Sequence, residues 1–124
     1  MSGRIWMRRA YEPPSRVDGT RVLIDRLWPR GVSRDDLMID AWLRDVAPSD
    51  DLRRWFGHDI DRWEEFRRRY RKELTAVPAA EALEELRGMV AGGRVTLVFA
   101  AKDSEHCNVT VLAERLSELL EATG

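Results

Sequence analysis

One apolar run in this chain is broken by nothing more polar than a threonine: Val95-Thr96-Leu97-Val98-Phe99-Ala100-Ala101. A strand can be apolar on both faces only if both faces are covered, and that is the situation of strands in parallel sheets packed between helices. Amphipathic segments flank the run on both sides, which makes it the centre of a helix–strand–helix unit. The fold class expected is therefore α/β: a single three-layer domain over residues 1–124, with a small, mostly parallel central sheet flanked by helices. At 124 residues the chain is long enough for one core and too short for two.

A second run, Arg21-Val22-Leu23-Ile24, also reads as a buried strand, and the two end alike. Ile24 is followed directly by Asp25-Arg26-Leu27-Trp28-Pro29-Arg30-Gly31, and Ala101 by Lys102-Asp103-Ser104-Glu105-His106-Cys107-Asn108. In open parallel sheets ligands bind in the crevice beyond the carboxyl ends of the strands. The two polar tips thus mark the expected site, provided that they converge.

The remaining elements are read from local signals. Arg4 to Arg8 alternates loosely and is a short strand candidate. Pro13-Pro14 and Asp18-Gly19 make residues 10–19 a loop, too short for the usual helical crossover, so the direction of the first strand stays open. Ser33 is placed to cap a brief helical turn, and 40–43 is ambiguous between strand and loop. Ser49, followed by Asp50-Asp51, starts a helix that stops near Gly57. Asp61 and Glu64 have capping-box spacing. Trp63, Phe66, Tyr70 and Leu74 then share one apolar face, with Glu64–Arg68 and Glu65–Arg69 pairs on the solvated side. Pro78 opens a further helix that Gly92-Gly93 closes. Ser104 and Asn108 are both placed to cap a last helix carrying Val109, Leu112, Leu116, Leu119 and Leu120 inward.

Composition excludes several classes of function. No apolar run approaches the roughly 20 residues of a membrane span, and the N-terminus lacks the apolar stretch of an export signal, so a cytoplasmic protein is expected. The single cysteine, Cys107, fits a reducing compartment, and no metal site is expected because His58, His106 and Cys107 lack zinc-type spacing. The net charge of −1 gives no overall attraction to nucleic acid. Residues 1–34 nevertheless carry eight arginines against Glu12, Asp18 and Asp25, a local excess of basic charge. Arginines outnumber lysines nineteen to two, which sets Lys102 apart.

The chemistry-bearing candidates lie on the two tips. A charged pair at the end of a buried strand must be solvated, paired or used, so Asp25 and Arg26 are either a structural ion pair or part of a site. Arg26 and Arg30 offer forked donors suited to phosphate or carboxylate, and Pro29 and Gly31 shape a turn whose amides can face an anion. Trp28 serves as a pocket wall or as core. Lys102 provides a cation, or a base if burial lowers its pKa, and Asp103 its partner. Asn108 stands at a helix start facing the same crevice. His58 sits in a turn between helices, where it reaches the site or bonds a backbone carbonyl. A dyad of His106 with Cys107 is disfavoured, since adjacent helical residues project about 100° apart.

Arg21 through Gly31, with Ala47-Pro48-Ser49, Leu52-Arg53, Trp55-Phe56-Gly57-His58-Asp59 and Ala101-Lys102-Asp103, resembles the YeaO-like branch of the DUF488 family. The resemblance runs from about Arg8 to Leu120. It implies a small bacterial α/β protein and marks Asp25, Arg26, Trp28, Pro29, Arg30, Gly31, Lys102 and Asp103 as family-type positions, but it brings no assigned activity. Cys107 departs from the asparagine usual at that position in the family.

The favoured expectation is a protein that binds a small anionic ligand of phosphate or nucleotide type, or an enzyme acting on one. Asp25 is then the acid/base and Lys102, with Arg30, the electrostatic stabiliser. Arg26, Trp28, Gly31, His58, Asp103, His106 and Asn108 complete the binding residues. No glycine-rich dinucleotide motif or P-loop is present, and no cofactor is expected. Two alternatives remain less favoured: a nucleic-acid-binding accessory protein, and an interaction module using Trp42, Trp55 and Trp63. Monomer and homodimer are both compatible with the chain.

Overall fold

The computed structural model describes residues 4–123; Met1-Ser2-Gly3, which enter the reading against an export signal, lie outside the described residues. Four strands, β1 (Ile5–Arg9), β2 (Thr20–Leu23), β3 (Ala41–Trp42) and β4 (Val95–Phe99), form one sheet in the order β1-β4-β2-β3. Every pairing is parallel. Five α-helices accompany them: α1 (Arg34–Leu37), α2 (Asp50–Phe56), α3 (Trp63–Glu73), α4 (Ala79–Ala91) and α5 (Asn108–Thr123).

The apolar run becomes β4, which sits between β1 and β2 with all five residues buried. Val95, Leu97 and Phe99 join Val22 and Ile24 in the main core, beneath Phe66 and Tyr70 of α3, Leu86 and Val90 of α4, and Leu112 and Leu116 of α5. On the other face, Val98 and Leu23 pack with Ala10 and Leu37, edged by Trp28 and Trp42. That second layer is thin, because its one helix, α1, has four residues. Thr96 keeps its hydroxyl satisfied by donating to the Asp18 carbonyl at 2.7 Å.

The direction of β1, open from sequence, is parallel to β4. The connection can be short because it crosses without an α-helix, its only regular element being the 3-10 turn Arg16–Asp18. The 10–19 loop crosses the thin face, where Asp18 lies over Thr96. It ends on Gly19, whose φ is +65°; a Cβ there would stand 2.4 Å from the Arg94 carbonyl oxygen. Residues 41–42 resolve as strand rather than loop, pairing with Val22 and Leu23.

The caps read from Ser33 and Ser49 form as expected. Ser33 Oγ accepts from the Asp36 N–H, and Ser49 Oγ from the Leu52 N–H. Ser49 Oγ also donates to Glu73 of α3, tying the two helices together. Gly57 ends α2 in the left-handed region at φ +52°.

Three local expectations are corrected. The Asp61–Glu64 box does not form: Asp59 caps a 3-10 turn over Ile60–Arg62, and α3 starts at Trp63 without a side-chain cap. Glu65 takes both Arg68 and Arg69, and among the described residues Glu64 makes no pair with Arg68. Neither Ser104 nor Asn108 caps α5, since Asn108 is already helical and its amide is engaged elsewhere.

Candidate functional site

A parallel sheet brings the carboxyl ends of its strands to one edge, and here that edge opens into a cavity of about 400 Å³. Asp25, two residues past β2, lies on its floor. The Ala100 N–H, just past β4, donates to Asp25 Oδ2 at 2.9 Å. The Asn108 side-chain amide, at the start of α5, donates to Oδ1 at 3.0 Å. The Asp25 carbonyl in turn accepts from the Trp42 indole at 2.7 Å. Two segments thus hold the carboxylate, and a third holds its backbone. Burial pushes its pKa up, against the pull of the Asn108 and Ala100 donors and of the His58 charge.

Two walls rise from this floor. One comes from the 26–30 segment and the loop after β1, with Trp28, Pro29, Arg30 and Tyr11. Tyr11 fastens the two parts by donating its hydroxyl to the Arg30 carbonyl at 3.1 Å. Trp28 donates its indole N–H to the Val32 carbonyl and meets Trp42 edge-on, with ring centres 5.4 Å apart. The other wall comes from α2 and its flanks, with Pro48, Arg53, Phe56 and His58, and Phe66 of α3 behind them. Phe56 and Phe66 stack with ring centres 4.2 Å apart. His58 has φ +58°, so two successive left-handed residues, Gly57 and His58, aim the imidazole at the cavity. A non-glycine residue in that region is held there by its surroundings.

The structure brings Asp25, Arg26, Trp28, Arg30, His58 and Asn108 together around this cavity. Arg26 is partly engaged with the fold: Nε and Nη2 donate to the carbonyls of Pro48 and Ala47 at 3.2 and 3.3 Å. Gly31 supplies a turn at φ +80° and lies outside the lining. Lys102, Asp103 and His106 also lie outside it. Lys102 is exposed, and among the described residues it has no partner. Asp103 accepts from the N–H groups of Glu105 and His106 and pairs with His106 Nδ1 at 3.0 Å. Its slight desolvation is outweighed by those bonds, so its pKa is lowered. The His106 ring rests edge-on against Trp63 at 5.3 Å.

Arg53, Tyr11, Phe56 and Phe66 line the cavity without being candidate site residues from the sequence; Arg53 and Phe56 lie in stretches that carry the family resemblance, and Phe66 reads as helix core. Tyr11 was hidden by the open direction of β1; once that strand is parallel, its carboxyl end belongs to the same edge. Cys107 lines the cavity too, buried, with its thiol pKa raised by desolvation against the pull of the nearby Val109 and Thr110 N–H groups. That environment disfavours a thiolate nucleophile. Among the described residues, no three His, Cys, Asp or Glu side chains converge to hold a metal ion, and no helix is long and apolar enough to cross a membrane.

Residues 4–124 match the family described as the inactive DUF488-N3 subclade. An uncharacterised protein of Mycobacterium tuberculosis is 40% identical over 114 residues, covering 92% of this chain and 94% of the relative. A protein of Mycobacterium bovis matches to the same extent. YeaO of Escherichia coli is 34% identical over 115 residues, 93% of this chain and 98% of its own length. No solved structure matches. The match spans the floor, both walls and the whole sheet, in agreement with the resemblance carried by Asp25 to Gly31; the chain belongs to the DUF488 family, in its inactive N3 subclade.

Proposed function

We propose that this protein binds a small anionic ligand, of phosphate or nucleotide type, in the cavity beyond the strand ends, and holds it without turnover. The observation that carries the reading is the charge around the cavity. Arg26, Arg30, Arg53 and His58 line it, while the one carboxylate among the lining residues is Asp25. Arg26 has Nη1 left over from its two backbone bonds, and among the described residues the Arg30 guanidinium has no partner. Forked donors on a half-enclosed, partly apolar surface suit a phosphate group, and the Trp28 and Phe56 rings suit an organic body attached to it. The volume, about 400 Å³, lies in the range of small-molecule sites.

Binding without turnover is favoured on two grounds. Both oxygens of Asp25 are anchored by protein donors, which fixes it as an acceptor, and Lys102, the other candidate for chemistry, stands outside the cavity. The description of the matched subclade as inactive points the same way. Calorimetric titration with inorganic phosphate, pyrophosphate and adenosine monophosphate tests the reading. At least one should bind, and Arg30→Ala should weaken it roughly tenfold or more, as expected for loss of a charge-assisted bond. No binding by any of the three, or equal binding by Arg30→Ala, would overturn it.

A further inference from the structure

The arginines account for an anion, but they leave the cavity floor unexplained. Asp25 carries a negative charge into a site whose proposed ligand is negative. Among the described residues it has no ion pair, although arginines stand on both walls. Its sequence neighbour Arg26 turns away to the Ala47 and Pro48 carbonyls. A carboxylate with a single donor on each oxygen keeps acceptor capacity on both, since it has about four lone-pair sites. Asn108 and Ala100 fix its position from one side, and the Trp42 bond fixes its backbone.

An anionic group placed against that carboxylate would be repelled, all the more because the site is partly screened from water. The anion of the ligand must therefore sit toward Arg30 and Arg53. Whatever part reaches the floor must donate.

We infer that the ligand has two unlike ends: an anionic group held by the wall arginines, and a hydroxyl or ammonium that donates to the free acceptor positions of Asp25. This rests on the anion-binding reading above and adds a specificity residue to it. Asp25 selects a donor-bearing organic phosphate from among phosphates in general, and Asn108 acts as a positioning residue that keeps the carboxylate turned to the cavity. Burial, which raises the Asp25 pKa, also makes the carboxylate respond strongly to a donor or a cation brought beside it.

Three probes that share one phosphate and one carbon chain separate the possibilities: butyl phosphate, 4-hydroxybutyl phosphate and 4-aminobutyl phosphate. The wild-type protein should bind at least one of the donor-bearing probes on the order of tenfold more tightly than butyl phosphate. Which of the two gains more tells hydroxyl from ammonium. In Asp25→Asn the advantage of the preferred probe should shrink, and any preference for the ammonium should disappear with the charge. Equal affinity of the wild type for all three probes would overturn the two-ended ligand and leave the anion site standing. A preference that survives intact in Asp25→Asn would place the donor on some other group and overturn the role of Asp25. Failure of all three to bind the wild type would sink both this inference and the anion reading. The wild-type comparison requires no variant, so it decides the matter even if Asp25→Asn does not fold.

Discussion

Asp18 and Asp25 flank the same strand, β2, and the fold treats them in opposite ways. Asp18, before the strand, is 1% exposed and fully compensated. Arg8 reaches Oδ1 at 2.9 Å, while Arg21 and the Ser15 N–H reach Oδ2 at 2.7 and 3.0 Å. Burial alone would raise its pKa, but these donors outweigh burial and hold it below the ordinary range. Asp25, after the strand, has two neutral donors and no ion pair among the described residues, and burial wins. Arg21 shows what Asp18 is for: its remaining donors hold the Leu37 and Met38 carbonyls and so pin α1 to the sheet. The comparison separates a charge that the fold uses internally from one that it leaves available.

Breaking the first of the pair should have the larger effect. Asp18→Ala leaves the 4%-exposed Arg21 without its counter-charge, and removing one partner of a buried pair costs about 3–5 kcal/mol. Urea denaturation should show this as a large drop in midpoint; a loss no greater than that of a surface substitution would show that the cluster is not structural. In the wild type, the contribution of Asp18 is fully present above its unfolded pKa of about 3.9 and is lost as pH falls through its lower folded value.

Asp25→Asn should act with the opposite sign. The folded pKa of Asp25 is raised, so its ionised form costs stability at neutral pH, and that cost fades as pH falls through the folded value toward the unfolded one. The variant should therefore be more stable than wild type at pH 7 by on the order of 1 kcal/mol. The difference should vanish below about pH 4, where Asp25 is protonated in both states. Melting temperatures of the two proteins across pH 4–7 measure this, and a destabilised variant at pH 7 would erase the contrast between the two aspartates. Smallest of all is Lys102→Ala: an exposed side chain outside the cavity should change stability by less than about 0.5 kcal/mol and leave phosphate affinity as it was.

What could be read from the sequence followed the range of the forces involved. The β4 run was legible because covering both faces leaves an unmistakable pattern, and Ser33 and Ser49 because a cap is settled within four residues. The neighbour relations of β1 were not legible, since nothing in residues 10–19 states that a strand more than seventy residues later will slip between β1 and β2. The site was legible on the side of β2, where charge follows the strand at once. On the side of β4 the strand ends at Phe99, before the apolar run does, because the Ala100 N–H leaves the ladder for Asp25. The backbone that contributes to the site is therefore Ala100, and Lys102 falls beyond it. Asp18 looked like an ordinary turn residue before Gly19; its partners Arg8 and Arg21 lie close in sequence, but only the crossing of the loop over Thr96 buries the three together.

The thinness of the layer around α1 bears on how the cavity fills. Four helical residues, the 10–19 loop and the Trp28 and Trp42 indoles cover one face of the sheet, while four longer helices clamp the other. Opening fluctuations concentrate where few apolar contacts must be given up, so amide protons of the 28–43 stretch should exchange with solvent deuterium well before those of β4. Trp28 and Arg30 ride on that flank, so the proposed ligand would enter by the breathing of one side while the helical side stays shut.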